Sequence, residues 1–248
     1  MTIILPGAQI PSNVGGRQVI DLLRDFCDEL ALPQIISIAD IQDDQARQIV
    51  QIANRMGDWL CREFDWQVLV NQHSFTTETG KLEYDLPADW MRSVHSTAWD
   101  SAKRLPMYGA MSPQTWAAYK ALSIGAGVEL FYRVINGRMV LIAEPPENDQ
   151  VQFEYISKYW VVSSAGGYFD RITRDDDVLL FDDSLMLEGM LLRWRKTKGL
   201  PFEENDFARI LMRCKGQDVP GRVINTGCVP GPRLINASNI PDSGYGGA

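Results

Sequence analysis

The chain reads as α+β: a helical bundle assembled from N- and C-terminal helices, an antiparallel β-rich domain inserted between them, and an extended C-terminal tail. Three observations predict this. Apolar residues recur at helical spacing before residue 65 and again after 184, strand alternation and turn signals fill the middle, and Pro, Gly, Asn and Ser dominate the last stretch. The expected divisions are an N-terminal arm at 1–16, helical parts at 17–66 and 163–217, a β-rich insertion at 67–162 and a flexible tail at 218–248.

Residues 1–16 are broken by Gly, Pro and Ser, as in an extended arm. Val19, Leu22, Leu23, Phe26 and Leu30 then repeat at helical spacing until Pro33. A second helix is expected from about Asp43 to Phe64, with acidic residues at its start. Its apolar face is Ile49, Ile52, Ala53, Met56, Trp59, Leu60 and Phe64.

The period changes after Trp66. Residues 67–77 and 82–86 read as strands around a Gly80 turn, and 93–99 as a further strand. Ser112-Pro113 opens a short helix to about Leu122, because Ser caps and Pro suits the first helical position. Asn136-Gly137, between ELFYRVI and RMVLI, supplies the two positive φ values of a type I′ turn and predicts a hairpin over 129–143. Val151, Phe153 and Tyr155 alternate with Gln152 and Glu154, as in a half-buried strand.

Helices return after the Gly/Ser loop at 163–167. Asp182 or Asp183 caps a helix carrying Leu185, Leu187, Met190, Leu191 and Trp194, which ends on basic residues before Gly199 and Pro201. Glu203, Glu204 and Asp206 start a last helix running to about Lys215-Gly216. The tail that follows is either a frayed terminus or an arm that orders on a neighbour; its scattered Val, Ile and Leu exceed what a linker needs.

Composition narrows the function. In 248 residues, 45% are hydrophobic and 23% charged, which excludes global disorder. The formal charge is −8, and most of the acidic excess lies in the first hundred residues. Such a chain has no electrostatic footprint for gripping a phosphate backbone or an anionic membrane. Cys27, Cys61, Cys214 and Cys228 are far apart, without the spacing of a zinc site, and fit reduced thiols. The N-terminus lacks a basic segment and breaks at Pro6-Gly7, so no signal peptide is expected.

Chemistry-bearing motifs are lacking. His73 and His95 each fall in an expected strand, and no nucleophile elbow, Walker A or zinc-protease motif occurs. Gly125-Ala126-Gly127 lacks the third glycine of a dinucleotide fingerprint. Asp175-Asp176-Asp177 with Asp182-Asp183 suggests calcium, but Leu180 and Met186 stand where an EF-hand needs Gly and Glu. A loop and a helix cap account for these carboxylates. No catalytic residue, cofactor or metal is expected.

FDWQVLVNQHSFTTETGKLEYDLPADWMRSV, NGRMVLIAEPP, FEYISKYWV and MLLRWRKTKGLPFEENDFARIL follow one another along the chain. In this order they resemble tailed-bacteriophage adaptor proteins, the head–tail connector subunits under the portal. The matching positions are Phe75-Thr76-Thr77, Tyr84-Asp85-Leu86-Pro87, Pro145-Pro146, Tyr155-Ile156 and Trp194 through Phe202, within residues 45–215. The resemblance implies a structural virion protein that forms a ring around the DNA channel. Its implied partners are the portal protein, a tail nozzle or tube protein, and further copies of itself. An acidic N-terminal region would let DNA slide past without sticking.

Residues expected to meet the portal or a neighbour are Arg193, Arg195 and Lys198 on the penultimate helix, with Ile224, Val229, Leu234, Ile235 and Ile240 in the tail. Two other readings stay open at this point. One is a phage tail module with glycan-binding or hydrolase activity built on the tryptophans; the other is a DNA-binding accessory using the basic residues of the last two helices.

Overall fold

The computed structural model describes residues 17–101, 103–121, 130–164 and 166–218. These residues form a mixed α/β fold with five α-helices and antiparallel sheets. The helices are α1 (Val19–Glu29), α2 (Asp44–Glu63), α3 (Pro113–Ala121), α4 (Asp183–Lys198) and α5 (Glu204–Gln217).

α1 buries Val19, Ile20, Leu22, Leu23, Phe26 and Cys27, the apolar stripe of an amphipathic helix. No side chain caps its start. Instead Val19 N–H donates to the Asp177 carbonyl at 2.7 Å and Ile20 N–H to that of Asp175 at 3.3 Å. A loop distant in sequence thus satisfies two of the donors that a helix start leaves free.

α2 begins at Asp43, whose carboxylate accepts from Gln45 N–H at 3.2 Å, and buries Ile49, Ile52, Ala53, Met56, Gly57, Leu60 and Cys61. Just beyond its end, the buried Trp66 indole N–H donates to the Leu60 carbonyl at 2.7 Å. Asp182 caps α4 by accepting from Leu185 N–H at 3.0 Å. Gly199, at φ 68°, closes that helix with its N–H toward the Arg195 and Lys196 carbonyls, the left-handed termination the Lys-Gly-x-Pro run predicts. Ser112 Oγ accepts from Thr115 N–H at 3.1 Å and starts α3.

α4 is the central helix, touching α1, α2 and α5. It buries Met186 and Gly189 besides the expected Leu185, Met190, Leu191 and Trp194, and Trp194 meets Phe26 edge-on at 5.8 Å. Two glycines permit the close approach. A Cβ on Gly57 would lie 2.3 Å from the Trp160 ring, and one on Gly189 would lie 2.4 Å from Met56 Cε.

Strand β1 (Val70–Thr76) pairs antiparallel with β8 (Gln150–Ser157) along its whole length, from Val70↔Ile156 to Thr76↔Gln150. The other edge of β8 carries β3 (Trp90–Ser93) and β4 (Trp99–Asp100), and β4 pairs with β5 (Leu105–Pro106). A second sheet has the order β2 (Glu83–Asp85), β7 (Arg138–Leu141), β6 (Tyr132–Ile135). Asn136 and Gly137, at φ 52° and 72°, form the expected β6–β7 turn.

Four local readings change. Residues 67–69 are a single 3₁₀ turn ahead of β1. β1 and β2 do not pair across Gly80, because Thr77 turns away: its N–H donates to the Asp149 carbonyl and its Oγ1 to that of Pro146. The strand expected over 93–99 divides into β3 and β4 at Ser96, whose φ is 61°. Finally, the 163–167 loop does not lead directly to helix. It is the tip between β9 (Val161–Val162) and β10 (Tyr168–Phe169), and β9 also pairs with β11 (Val178–Leu179). Strands of two residues are too short to show alternation in sequence.

β8 belongs to two apolar clusters. Val151, Phe153 and Tyr155 pack with Tyr84, Tyr132, Met139 and Leu141 of the second sheet. Ile156 joins the cluster of the helices, together with Trp160, Val161 and Phe181. The half-buried alternation read from sequence is therefore a strand that faces one core and ends in another.

Candidate functional site

The acidic run 175–177 is structural. Asp177 is fully buried, and its Oδ2 accepts from the N–H groups of Thr173 and Arg174, both at 2.8 Å. Asp175 accepts from Ile38 N–H, and Asp176 bonds Ser164. The run thus draws the 164 tip, the 37–38 loop and the α1 start together, as loop and capping carboxylates do. Among the described residues no group of three or more His, Cys, Asp or Glu side chains is placed to hold a metal.

Other polar groups are also tied into packing. Asp89 is buried and accepts from the Tyr155 hydroxyl at 3.0 Å; burial, then the Asp89 charge, push that phenol well above its ordinary range. Lys103 bridges Asp149 at 2.9 Å and Asp100 at 3.4 Å. Burial by itself would lower its ammonium, but the hydrogen bond and charge of Asp149, joined by Asp100, raise it. His73, on β1, meets the Phe153 ring of β8 at 5.5 Å, and burial lowers its imidazole against the pull of Asp89. Cys61 is inert by the same cause, its thiol pushed up to about 12 by burial. Of the seven tryptophans, Trp66, Trp116, Trp160 and Trp194 are buried and Trp59, Trp90 and Trp99 partly so, which makes them packing rather than an open platform.

The basic residues expected at an interface sit on the last two turns of α4 and diverge. Arg193 lies on α2, with Nε 3.3 Å from Met56 Sδ; burial and the nearby Arg55 pull its guanidinium down from the usual range. Arg195 reaches Glu29 of α1 at 3.9 Å. Lys198 donates to Gln48 at 2.9 Å and lies 4.5 Å from the Trp194 ring centre. On α5, Arg209 pairs with Asp206, and Lys215 with Glu63 at 2.8 Å. Exposed pairs of this kind add little stability, but they divide the positive charge among the chain's own carboxylates. The expected tail positions Ile224, Val229, Leu234, Ile235 and Ile240 lie outside the described residues.

A groove missed in the sequence runs between α4 and α5, with a volume of about 420 Å³. Leu191, Leu192 and Phe207 line it, Pro201 and Phe202 form one wall, Glu188, Glu203 and Asp206 supply carboxylates, and Arg195 supplies a guanidinium. Burial raises the Glu188 carboxyl, as do the charges of Glu29 and Asp206, against Arg195. Among the described residues neither Glu188 nor Glu203 forms a salt bridge. Exposed apolar side chains also occur at Leu200 and Phe202, in the turn between α4 and α5, and at Met212 on α5, which is 74% exposed. In sequence, α5 signalled this by placing Phe207, Ile210, Leu211 and Met212 over more than one face. α5 fully buries only Cys214.

Comparison with known proteins bears on the whole of this architecture. The family model described as SU10 adaptor protein matches residues 17–213, spanning the helices and the sheets. No curated protein matches the chain.

Proposed function

The chain belongs to the SU10 adaptor protein family, a bacteriophage head–tail adaptor family, and from that premise we propose that it forms a ring joining the portal vertex of a tailed phage to the tail. The observation that carries this reading is the extent of the family match, residues 17–213. The ring, about twelve copies by the closed symmetry such connectors adopt, encloses the DNA channel. Below it, a nozzle or tube protein continues the tail.

Activity in this reading is binding, with no bond made or broken. Several charged residues are engaged in structural pairs, and the α4–α5 region leaves Leu200, Phe202 and Met212 exposed. Arg195 acts beside that surface, Arg193 and Lys198 act from the side of α4 that faces α2, and the tail docks on the portal or on a neighbouring subunit. A chain of net charge −8 presents a repelling field to DNA, so that genome passage meets no adhesive wall.

The direct test is light-scattering mass of the full chain, alone and with the portal protein of the same phage. One defined complex of about twelve chains per portal ring is the expected result. Two folded proteins that keep their separate masses at micromolar concentration would overturn the adaptor assignment to the portal.

A further inference from the structure

The tail contains a tandem motif. Arg222-Val223-Ile224-Asn225 recurs eleven residues later as Arg233-Leu234-Ile235-Asn236. Each is followed by three further residues, an aliphatic residue and proline: Val229-Pro230 and Ile240-Pro241. Arg222 and Arg233 are the sole basic residues after Lys215. A linker requires no such recurrence; one arginine fixed beside two aliphatic side chains, used twice, is the composition of a recognition element.

The α4/α5 groove has the complementary character. Its apolar lining of Leu191, Leu192 and Phe207 suits two aliphatic side chains, and Glu188 and Glu203 are carboxylates without a salt-bridge partner among the described residues. Burial, then the charges of Glu29 and Asp206, raise the Glu188 carboxyl, and the guanidinium already on the lining, Arg195, pairs with Glu29 at 3.9 Å, so Glu188 has no paired positive charge among the described residues. A guanidinium supplies that charge with two parallel donors, the geometry a carboxylate accepts best.

Chain length points to the source. Arg233 lies fifteen positions beyond Asp218, which is just past α5, up to about 50 Å of extended chain. A compact unit of this size is roughly 40 Å across, so Arg233 reaches as far as an adjacent subunit.

We propose that the α4/α5 groove is the seat for the Arg-aliphatic-Ile-Asn motif of a second copy of this chain, with the guanidinium on Glu188 and the aliphatic pair on the groove lining. The proposal rests on the tail being a docking arm, and it names the partner as a neighbouring subunit. Arg233 has the longer reach of the two, since Arg222 lies only four residues past Asp218, about 14 Å of extended chain.

The test uses full-length chain carrying Arg222→Gln and Arg233→Gln, so that its own tail does not compete. The probe is a fluorescein-labelled peptide of residues 229–241, followed by anisotropy. Saturable binding is expected, weakened about tenfold or more by Glu188→Lys. An Arg233→Glu peptide should show the reverse preference, binding the Glu188→Lys chain better than the Glu188 chain. That swap is beyond the reach of a variant that merely misfolds. No saturable binding up to about 1 mM peptide, or binding indifferent to Glu188→Lys, overturns the groove as the seat.

The source is tested separately with a photo-crosslinker at Ser238 in mixed heavy- and light-isotope full chains. Crosslinks to α4 and α5 that join heavy to light support a second copy, whereas crosslinks confined to one isotope overturn it. Portal binding measured by light scattering is independent of both results, so this inference and the adaptor reading fail separately.

Discussion

Replacing Gly57 by alanine adds one methyl group where the fold has no room for it. The new Cβ falls 2.3 Å from Trp160 Cζ2 and 2.4 Å from Cε2 and Cη2, more than 1 Å inside ordinary carbon contact. The ring cannot swing aside, since Trp160 is 0% exposed and stacks on Phe181 at 6.1 Å. Overpacking of this kind costs about 1–3 kcal/mol, while alanine returns up to about 1 kcal/mol of helix propensity over glycine. The net expectation is a loss of about 1–2 kcal/mol, or about 3–6 °C in Tm for a chain of this size.

Gly189→Ala is the internal control. There the added methyl meets Met56 Cε at 2.4 Å and Sδ at 2.7 Å, the far end of a flexible side chain that rotates away. The expected change is within about 0.5 kcal/mol of zero. Urea unfolding followed by tryptophan fluorescence measures both. A Gly57→Ala chain as stable as wild type, or a Gly189→Ala chain damaged more severely, would refute the claim that α2 is held against Trp160 by the absence of a side chain.

Three further expectations follow from buried polar groups. Asp177→Ala leaves the N–H groups of Thr173 and Arg174 without their carboxylate and should cost about 2–3 kcal/mol; native-state hydrogen exchange should quicken at Val19 and Ile20, whose donors depend on the same loop. Tyr155→Phe leaves the buried Asp89 carboxylate with only the long 3.4 Å bond from the Asn71 amide and should cost about 1–3 kcal/mol in urea unfolding, an unchanged midpoint being the contrary result. Because the folded state holds the His73 imidazole below its unfolded value, the unfolded chain binds its proton first as pH falls. Stability should therefore decline from about pH 6.5 downward through the depressed folded value, and His73→Phe should flatten that part of the profile.

How much of this was legible beforehand depends on the range of the interaction. The α1 and α2 stripes, the Asp43 and Asp182 caps, the Gly199 stop and the Asn136-Gly137 turn are written within a few neighbouring residues, where backbone sterics and local hydrogen bonds act. Sequence order alone also carried the resemblance to phage adaptors, because the turn, cap and strand signals fall in series along one chain.

Tertiary structure decided what those local signals leave open. Nothing near Thr77 in sequence says that β1 pairs with β8 instead of β2; that choice depends on side chains more than seventy residues away, which share a core only after the chain folds. The two-residue strands β9 to β11 form for the same reason, since they carry too few residues for a period and are held by the Trp160 cluster. The α4/α5 groove was invisible because a concave surface exists only between elements. Glu188 carries no local signal in sequence, and only burial and the approach of Glu29 and Asp206 raise its carboxyl. Local propensity specified the parts, and long-range burial, which no window of sequence contains, decided their pairing and the surface they present.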